Sequence, residues 1–191
     1  MKTEKSESLP EFLASKIKAV ILDGDGVVFT SQVFFGTHGE VLKERSFIDG
    51  QGISLIRAAG IKVVLVTAEK SKFADVFVEK MNGLDSVKNG KWQPMEVITG
   101  VIGKDKVVAV EKWIEKHHLS WDECAYMGDD LGDYAVMEKV AFRACPNGAE
   151  KLIKEFSHFV AERDGGKGAI RDLCDFLLKA KGVDSLSLEF R

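Results

Sequence analysis

No stretch of this chain approaches the roughly 20 consecutive apolar residues that a membrane-spanning helix needs. The aliphatic run near the start, Ala19–Leu22, is cut off at Asp23. A surplus of positive charge is missing too. Lys plus Arg number 27 against 30 for Asp plus Glu, a formal net charge of −3, so there is no broad basic face and nucleic acid is not an expected partner. Residues 1–10 are polar and mixed in charge and lack the apolar centre of a signal peptide, which points to the cytoplasm. Cysteine is scarce. Cys124, Cys145 and Cys174 form no close pair and no metal-ligand spacing, and each is expected in or near the core as a small apolar residue. Internal repeats and low-complexity segments are absent.

What is present is an ordinary globular balance. Of 191 residues, 45% are apolar and 30% charged, enough apolar surface to offset the entropy of ordering the chain. Residues 1–15 read as a flexible lead-in, 16–180 as one domain, and 181–191 as a tail without a firm pattern.

Along the domain, short apolar runs alternate with helical patterns. Ile17–Leu22 is a buried strand ended by Asp-Gly-Asp-Gly. Two arms within about 27–47 flank Gly36-Thr37-His38-Gly39 and predict a hairpin. Asp49 reads as the cap of a helix that stops at Gly60. Val63–Val66 is a strand ending at Thr67, and Ser71–Met81 a helix. Asn89-Gly90 predicts a second, smaller hairpin within about 84–98, and Met95–Ile102 a further strand. Asp105–His117 is a helix with Val107, Val110, Trp113 and Ile114 on one face. Ala125–Met127 is a strand leading into Gly128-Asp129-Asp130. Leu131–Val140 follows as a helix, Phe142 and Ala144 mark a strand, Asn147 caps a helix through Phe156, His158–Val160 is a last strand, and Lys167–Ala180 is a closing helix. Strands alternating with helices imply an α/β fold with a mostly parallel sheet covered on both faces. Ligands of such sheets sit at the carboxyl ends of the strands. Asp23, Thr67 and Asp129 each stand just after a strand and should converge on one edge.

Two carboxylates one residue apart behind a buried strand, Asp23 and Asp25, are costly unless paired or bound to a cation. The flanking glycines let the backbone turn tightly and approach a ligand. An acidic turn with no ligand is the plainer alternative. A calcium loop is excluded, because Val27 stands where that loop needs an oxygen ligand. Asp129, Asp130 and Asp133 repeat the pattern, with a solvated, acid-rich helix start as the plainer alternative. Together, oxygen ligands from two strand ends suit Mg²⁺, which binds through one or two carboxylates plus phosphate. Thr67 can donate to a phosphoryl oxygen, and Lys106, opening a helix, adds positive charge beside the acids.

The order Asp-x-Asp-Gly-Val, Thr after the second strand, Lys opening a later helix, then Gly-Asp-Asp-x-x-Asp resembles the haloacid dehalogenase superfamily of Mg²⁺-dependent phosphohydrolases. Ile48-Asp49-Gly50-Gln51-Gly52-Ile53, Tyr126–Asp133 and Gly165-Gly166-Lys167-Gly168-Ala169-Ile170-Arg171 are similar to the small capless branch that contains 3-deoxy-D-manno-octulosonate 8-phosphate phosphatase. The resemblance implies a three-layer, Rossmann-like α/β domain with a protruding hairpin and no large cap. It implies Asp23 as nucleophile, Asp25 as acid and then base, and Mg²⁺ held by Asp23, the backbone carbonyl of Asp25, and Asp129. Thr67 and Lys106 would hold and neutralise the transferring group. Asp130 and Asp133 would order metal waters or Lys106, and Asp49, Gly50, Glu69 and Asp130 are expected at the substrate. The resemblance also implies a homotetramer and a sugar phosphate as substrate, foremost a 2-keto-3-deoxy sugar acid phosphate.

The chain departs from that branch where the substrate's acid group would be read. Ala68-Glu69 replaces Gly-Arg after Thr67, and Ile48, Ser54 and Phe77 stand where the relatives carry Arg. Loss of guanidinium partners weakens carboxylate recognition. Alternatives are therefore a nonulosonate 9-phosphate as substrate, a non-catalytic oligomerisation module related to acylneuraminate cytidylyltransferases, or a sugar-phosphate binding protein.

Overall fold

The computed structural model describes residues 8–188. Four consecutive aliphatic residues form β1 (Ala19–Leu22), every one buried, as a strand covered on both faces requires. The hairpin β2 (Val33–Gly36) and β3 (Gly39–Lys43) follows, antiparallel and separate from the main sheet. The remaining strands are β4 (Lys62–Val66), β5 (Glu96–Ile98), β6 (Cys124–Met127), β7 (Phe142–Cys145) and β8 (Phe159–Val160). The main sheet runs β5-β4-β1-β6-β7-β8 and is parallel throughout. After β1 the chain builds outward to β4 and β5, then returns to the other side of β1 for β6. That reversal puts the topological switch point at the end of β1.

The helices are α1 (Leu9–Ser15), α2 (Phe47–Ala58), α3 (Phe73–Asn82), α4 (Asp85–Lys88), α5 (Lys104–Lys116), α6 (Tyr134–Met137), α7 (Lys151–Phe156) and α8 (Ala169–Ala180). Side-chain alternation along the strands divides them between two cores. Val20, Leu22, Val63 and Leu65 join Ala14, Ile53, Phe77 and Leu173, so α1, α2, α3 and α8 cover one face. Ala19, Ile21, Val64 and Tyr126 join Val110, Val136 and Ile153, so α5, α6 and α7 cover the other. The expected three-layer α/β architecture is therefore present. Between β1 and α2 the chain forms the hairpin, and among the described residues no separate cap domain is attached. Cys124, Cys145 and Cys174 are free and buried, as expected. No helix among these residues is long and apolar enough to cross a membrane.

Several local expectations are corrected. The second hairpin at about 84–98 does not form. Asp85–Lys88 is a helix with Asn89 as its C-cap, and Gly90 takes a left-handed φ of 71° just beyond. Asn-Gly stops a helix here instead of turning a hairpin, the two sharing a need for positive φ. Arg57 tethers the neighbouring stretch from a distance. Its guanidinium donates to the carbonyls of Gln93 and Met81 and to Asn82 Oδ1, pinning this stretch so that β5 pairs with β4. The strand expected over Met95–Ile102 shortens to β5.

Within the lead-in, Leu9–Ser15 form α1. Ser8 and Glu11 cap α1 reciprocally, with Pro10 in the first turn, a start signal readable in Ser-x-x-Glu. Residues 1–7 and 189–191, the ends of the lead-in and the tail, lie outside the described residues. Asn147 does not cap a helix. Its amide donates to Asp164 Oδ1, and α7 begins after Glu150. The helix expected over Leu131–Val140 is a 3₁₀ turn, Leu131–Asp133, followed by the short α6. Ser46, not Asp49, caps α2, its Oγ accepting from Ile48 N at 3.1 Å.

Candidate active site

Three strand ends supply the site. Asp23 follows β1, and its backbone N–H donates to Met127 O at 3.0 Å, which ties it to the end of β6. Thr67 follows β4, with its N–H on Ile98 O at 2.9 Å. Gly128 and Asp129 follow β6. The backbone must close in tightly between them. A Cβ on Gly24 would stand 2.7 Å from Thr67 Oγ1, and one on Gly128 2.5 Å from the Asp133 side chain. Glycine at these two places is what lets the loops approach.

Carboxylate oxygens of Asp23, Asp129 and Asp133 all lie within 4.8 Å of one another. Lys106, from the first turn of α5, reaches into the group. Its Nζ donates to Asp23 Oδ1 at 2.6 Å and to Asp133 Oδ1 at 2.7 Å. Asp133 is the organiser: it also accepts from Tyr126 Oη at 2.6 Å and, through Oδ2, from Asp129 N at 3.0 Å. Of the two tasks expected of Asp133, holding Lys106 is seen directly. Asp130 instead turns its carboxylate to Leu131 N and caps the 3₁₀ turn.

The electrostatics show an excess of negative charge. Burial, then the charge of Asp133, pushes Asp23 up to about 8 against the pull of Lys106. Burial, then Asp133 and Asp130, pushes Asp129 up to about 7. Burial raises the Tyr126 phenol well above its ordinary value, with Asp133 adding to it. For Lys106 burial acts downward, but Asp23 and Asp133 outweigh it and leave the ammonium favoured. One ammonium does not balance three carboxylates, two buried and one half-buried. An all-oxygen donor set of this kind fits a hard divalent cation, which would relieve that repulsion.

Asp25 stands at the same cleft but outside the cluster. Both of its oxygens accept from Lys43 Nζ, at 2.7 and 2.8 Å. The cleft, about 600 Å³, takes in Asp25, Thr67, Glu69 and Asp130 beside the charged cluster. Glu69 Oε1 accepts from Lys70 N at 2.8 Å and Ser71 N at 3.0 Å, while Oε2 is 4.0 Å from Lys43.

Asp49 and Gly50 are not brought to this cleft. Asp49 is buried and accepts from Gly168 N at 2.9 Å and Arg171 N at 3.0 Å, capping α8. Gly50 lies in a separate cavity of about 280 Å³, with Arg45, Ser54 and Lys80. Phe77 is buried against Phe29. The sequence reading missed Lys43 and Tyr126. A tyrosine inside a buried strand needs a partner for its hydroxyl, and that signal was available for Tyr126. For Lys43 no local pattern distinguishes it from any other hairpin lysine.

Comparison with known proteins shows the family. Residues 30–138, more than half of the chain, match the haloacid dehalogenase-like hydrolase family. The 3-deoxy-D-manno-octulosonate 8-phosphate phosphatase KdsC of Escherichia coli K12 is 32% identical over 169 residues, 88% of this chain and 83% of its own length. The crystal structure of the enzyme of that name from Yersinia pestis has a TM-score of 0.80 and 28% identity, covering 92% of this chain and 88% of its own. The cobalt-bound deoxy-D-mannose-octulosonate 8-phosphate phosphatase of Haemophilus influenzae has a TM-score of 0.78 and 25% identity, covering 89% and 92%. The chain therefore belongs to the haloacid dehalogenase-like hydrolases and is a phosphoric monoester hydrolase similar to the 3-deoxy-D-manno-octulosonate 8-phosphate phosphatases.

Proposed function

We propose that the chain is a Mg²⁺-dependent sugar-phosphate phosphatase that works through an aspartyl-phosphate on Asp23. Its foremost substrate class is the 2-keto-3-deoxy sugar acid phosphates, such as 3-deoxy-D-manno-octulosonate 8-phosphate. The observation that carries this reading is Asp23 at the switch point, bound to Lys106 and within 4.8 Å of Asp129 and Asp133. Similarity to KdsC supports the substrate class.

In the first half-reaction an Asp23 carboxylate oxygen attacks phosphorus, the bond from phosphorus to the sugar oxygen breaks, and Asp25 gives that oxygen a proton. In the second, water attacks the phosphorus, Asp25 takes the water's proton, and the Asp23–phosphorus bond breaks to release inorganic phosphate. Lys106 and the Thr67 hydroxyl hold the phosphoryl oxygens, where most of the catalysis of phosphoryl transfer lies. Bound between Asp23, Asp129 and the Asp25 carbonyl, Mg²⁺ would draw charge from the phosphoryl oxygens and keep Asp23 ionised. A site equipped in this way argues for an enzyme over an assembly module.

A nonulosonate 9-phosphate is the second reading. Glu69 in the cleft wall offers an acceptor for sugar hydroxyls where a guanidinium would take a carboxylate. The hairpin favours a homotetramer. Phe34, Phe35 and Leu42 are 64%, 72% and 62% exposed, an apolar surface that assembly would cover. A cytoplasmic location accords with an enzyme of soluble sugar phosphates.

A phosphate-release screen over sugar phosphates of six to nine carbons, with Mg²⁺ and with EDTA, tests the reading. Release should require Mg²⁺ and fall by about a thousandfold or more in Asp23→Asn with the fold intact. Near-normal turnover in that variant refutes the nucleophile.

A further inference from the structure

Resting on the hydrolase reading above, we propose that Lys43 is a positioning residue for Asp25. In this role it holds the acid–base carboxyl at the leaving oxygen and makes the hairpin part of the catalytic apparatus. The contact is two-pronged: Lys43 Nζ lies 2.7 Å from Asp25 Oδ1 and 2.8 Å from Oδ2. It is also not an ordinary surface ion pair. The Lys43 side chain is 3% exposed while that of Asp25 is 42% exposed. A buried ammonium is costly without partners, so the lysine is committed to this place, and the carboxyl keeps an open side toward the cleft.

The surroundings leave the pair little freedom. The Asp25 backbone sits in a tight turn closed by Val28 N and Phe29 N on Gly24 O, and the hydrogen bonds to its carboxylate come from Lys43 alone among the described residues. Lys43 is steadied from two sides, with Glu69 Oε2 at 4.0 Å and the Phe73 ring at 5.6 Å. The root of the hairpin is fixed to the catalytic loop by Thr30 N on Glu44 O at 2.9 Å. A general acid contributes only while its oxygen is within reach of the proton's destination. The element that sets that direction is therefore β3, which the local sequence presents as a plain hairpin arm.

The test separates chemistry that needs an acid from chemistry that does not. With the full chain, Mg²⁺ and enzyme in excess, single-turnover alcohol release is measured from 4-nitrophenyl phosphate, whose leaving group needs no proton, and from benzyl phosphate, whose leaving group does. In Lys43→Met, benzyl alcohol release should fall by about tenfold or more, nitrophenol release should stay within about twofold, and Lys43→Arg should restore most of the loss. Adding Lys43→Met to Asp25→Asn should cost nothing further. Equal losses on both substrates would mark Lys43 as merely structural, and unchanged release from benzyl phosphate would remove its role; either overturns the proposal. A wild-type chain that releases neither alcohol overturns the hydrolase reading itself, and this inference with it.

Discussion

Gly26 and Asp129 occupy each other's space so closely that no side chain fits between them. A Cβ on Gly26 would fall 1.9 Å from Asp129 Oδ2, and Gly26 holds a φ of 77°. The second acidic strand end is thus packed directly on the first acidic loop, which brings the Asp129 carboxylate to Asp23.

Gly26→Ala should consequently displace Asp129 while leaving the sheet in place. Both the left-handed backbone and the collision oppose the methyl group. Mg²⁺ affinity by isothermal titration is expected to drop by about tenfold or more, with turnover falling alongside. Unaltered Mg²⁺ binding would mean that Asp129 is not a ligand.

The raised acids make stability depend on pH and metal together. Asp23 moves from 3.8 to about 8 and Asp129 from 3.8 to about 7, so between these values the folded, metal-free chain binds more protons than the unfolded one. Stability must then fall as pH rises through that window. Melting temperature in EDTA should decline from about pH 4 to about pH 8, and the gain from added Mg²⁺ should grow over the same range. A Mg²⁺ gain independent of pH would contradict the assignment.

Tyr126→Phe removes a hydroxyl that donates to Asp133 Oδ1 at 2.6 Å and nothing else of the ring. Asp133 then holds Lys106 with one donor fewer. A loss of about 1 kcal/mol in orientation, about fivefold in kcat with KM little changed, is expected from steady-state kinetics. An effect on KM alone would count against this account.

Asp49→Ala leaves the buried N–H of Gly168 and the part-buried N–H of Arg171 without their acceptor. Urea unfolding should show a cost of about 1–3 kcal/mol, while turnover per folded molecule stays near wild type. Loss of catalysis without loss of stability would return Asp49 to the substrate site.

Much of this molecule follows from short stretches of its sequence. The aliphatic run Ala19–Leu22 is a strand because four apolar residues can be buried on both faces, and the acids behind it mark the sheet's carboxyl edge. The same logic placed Thr67 behind β4 and Asp129 behind β6, and the helical spacing over Asp105–His117 delivered Lys106. Other features depend on partners distant along the chain. Lys43 meets Asp25 across 18 positions, Lys106 meets Asp23 across 83, and Asp49 caps α8 from 119 positions away. The stretch after the helical stop at Asn89-Gly90 is likewise held by Arg57, which donates to Gln93 O from 36 positions off. Backbone propensity and burial act over a few neighbouring residues, so they are written locally. Ion pairs and caps between remote segments exist only once the chain has folded: the return of the hairpin to the loop after β1 brings Lys43 to Asp25, and the packing of α2 on α8 takes Asp49 away from the cleft.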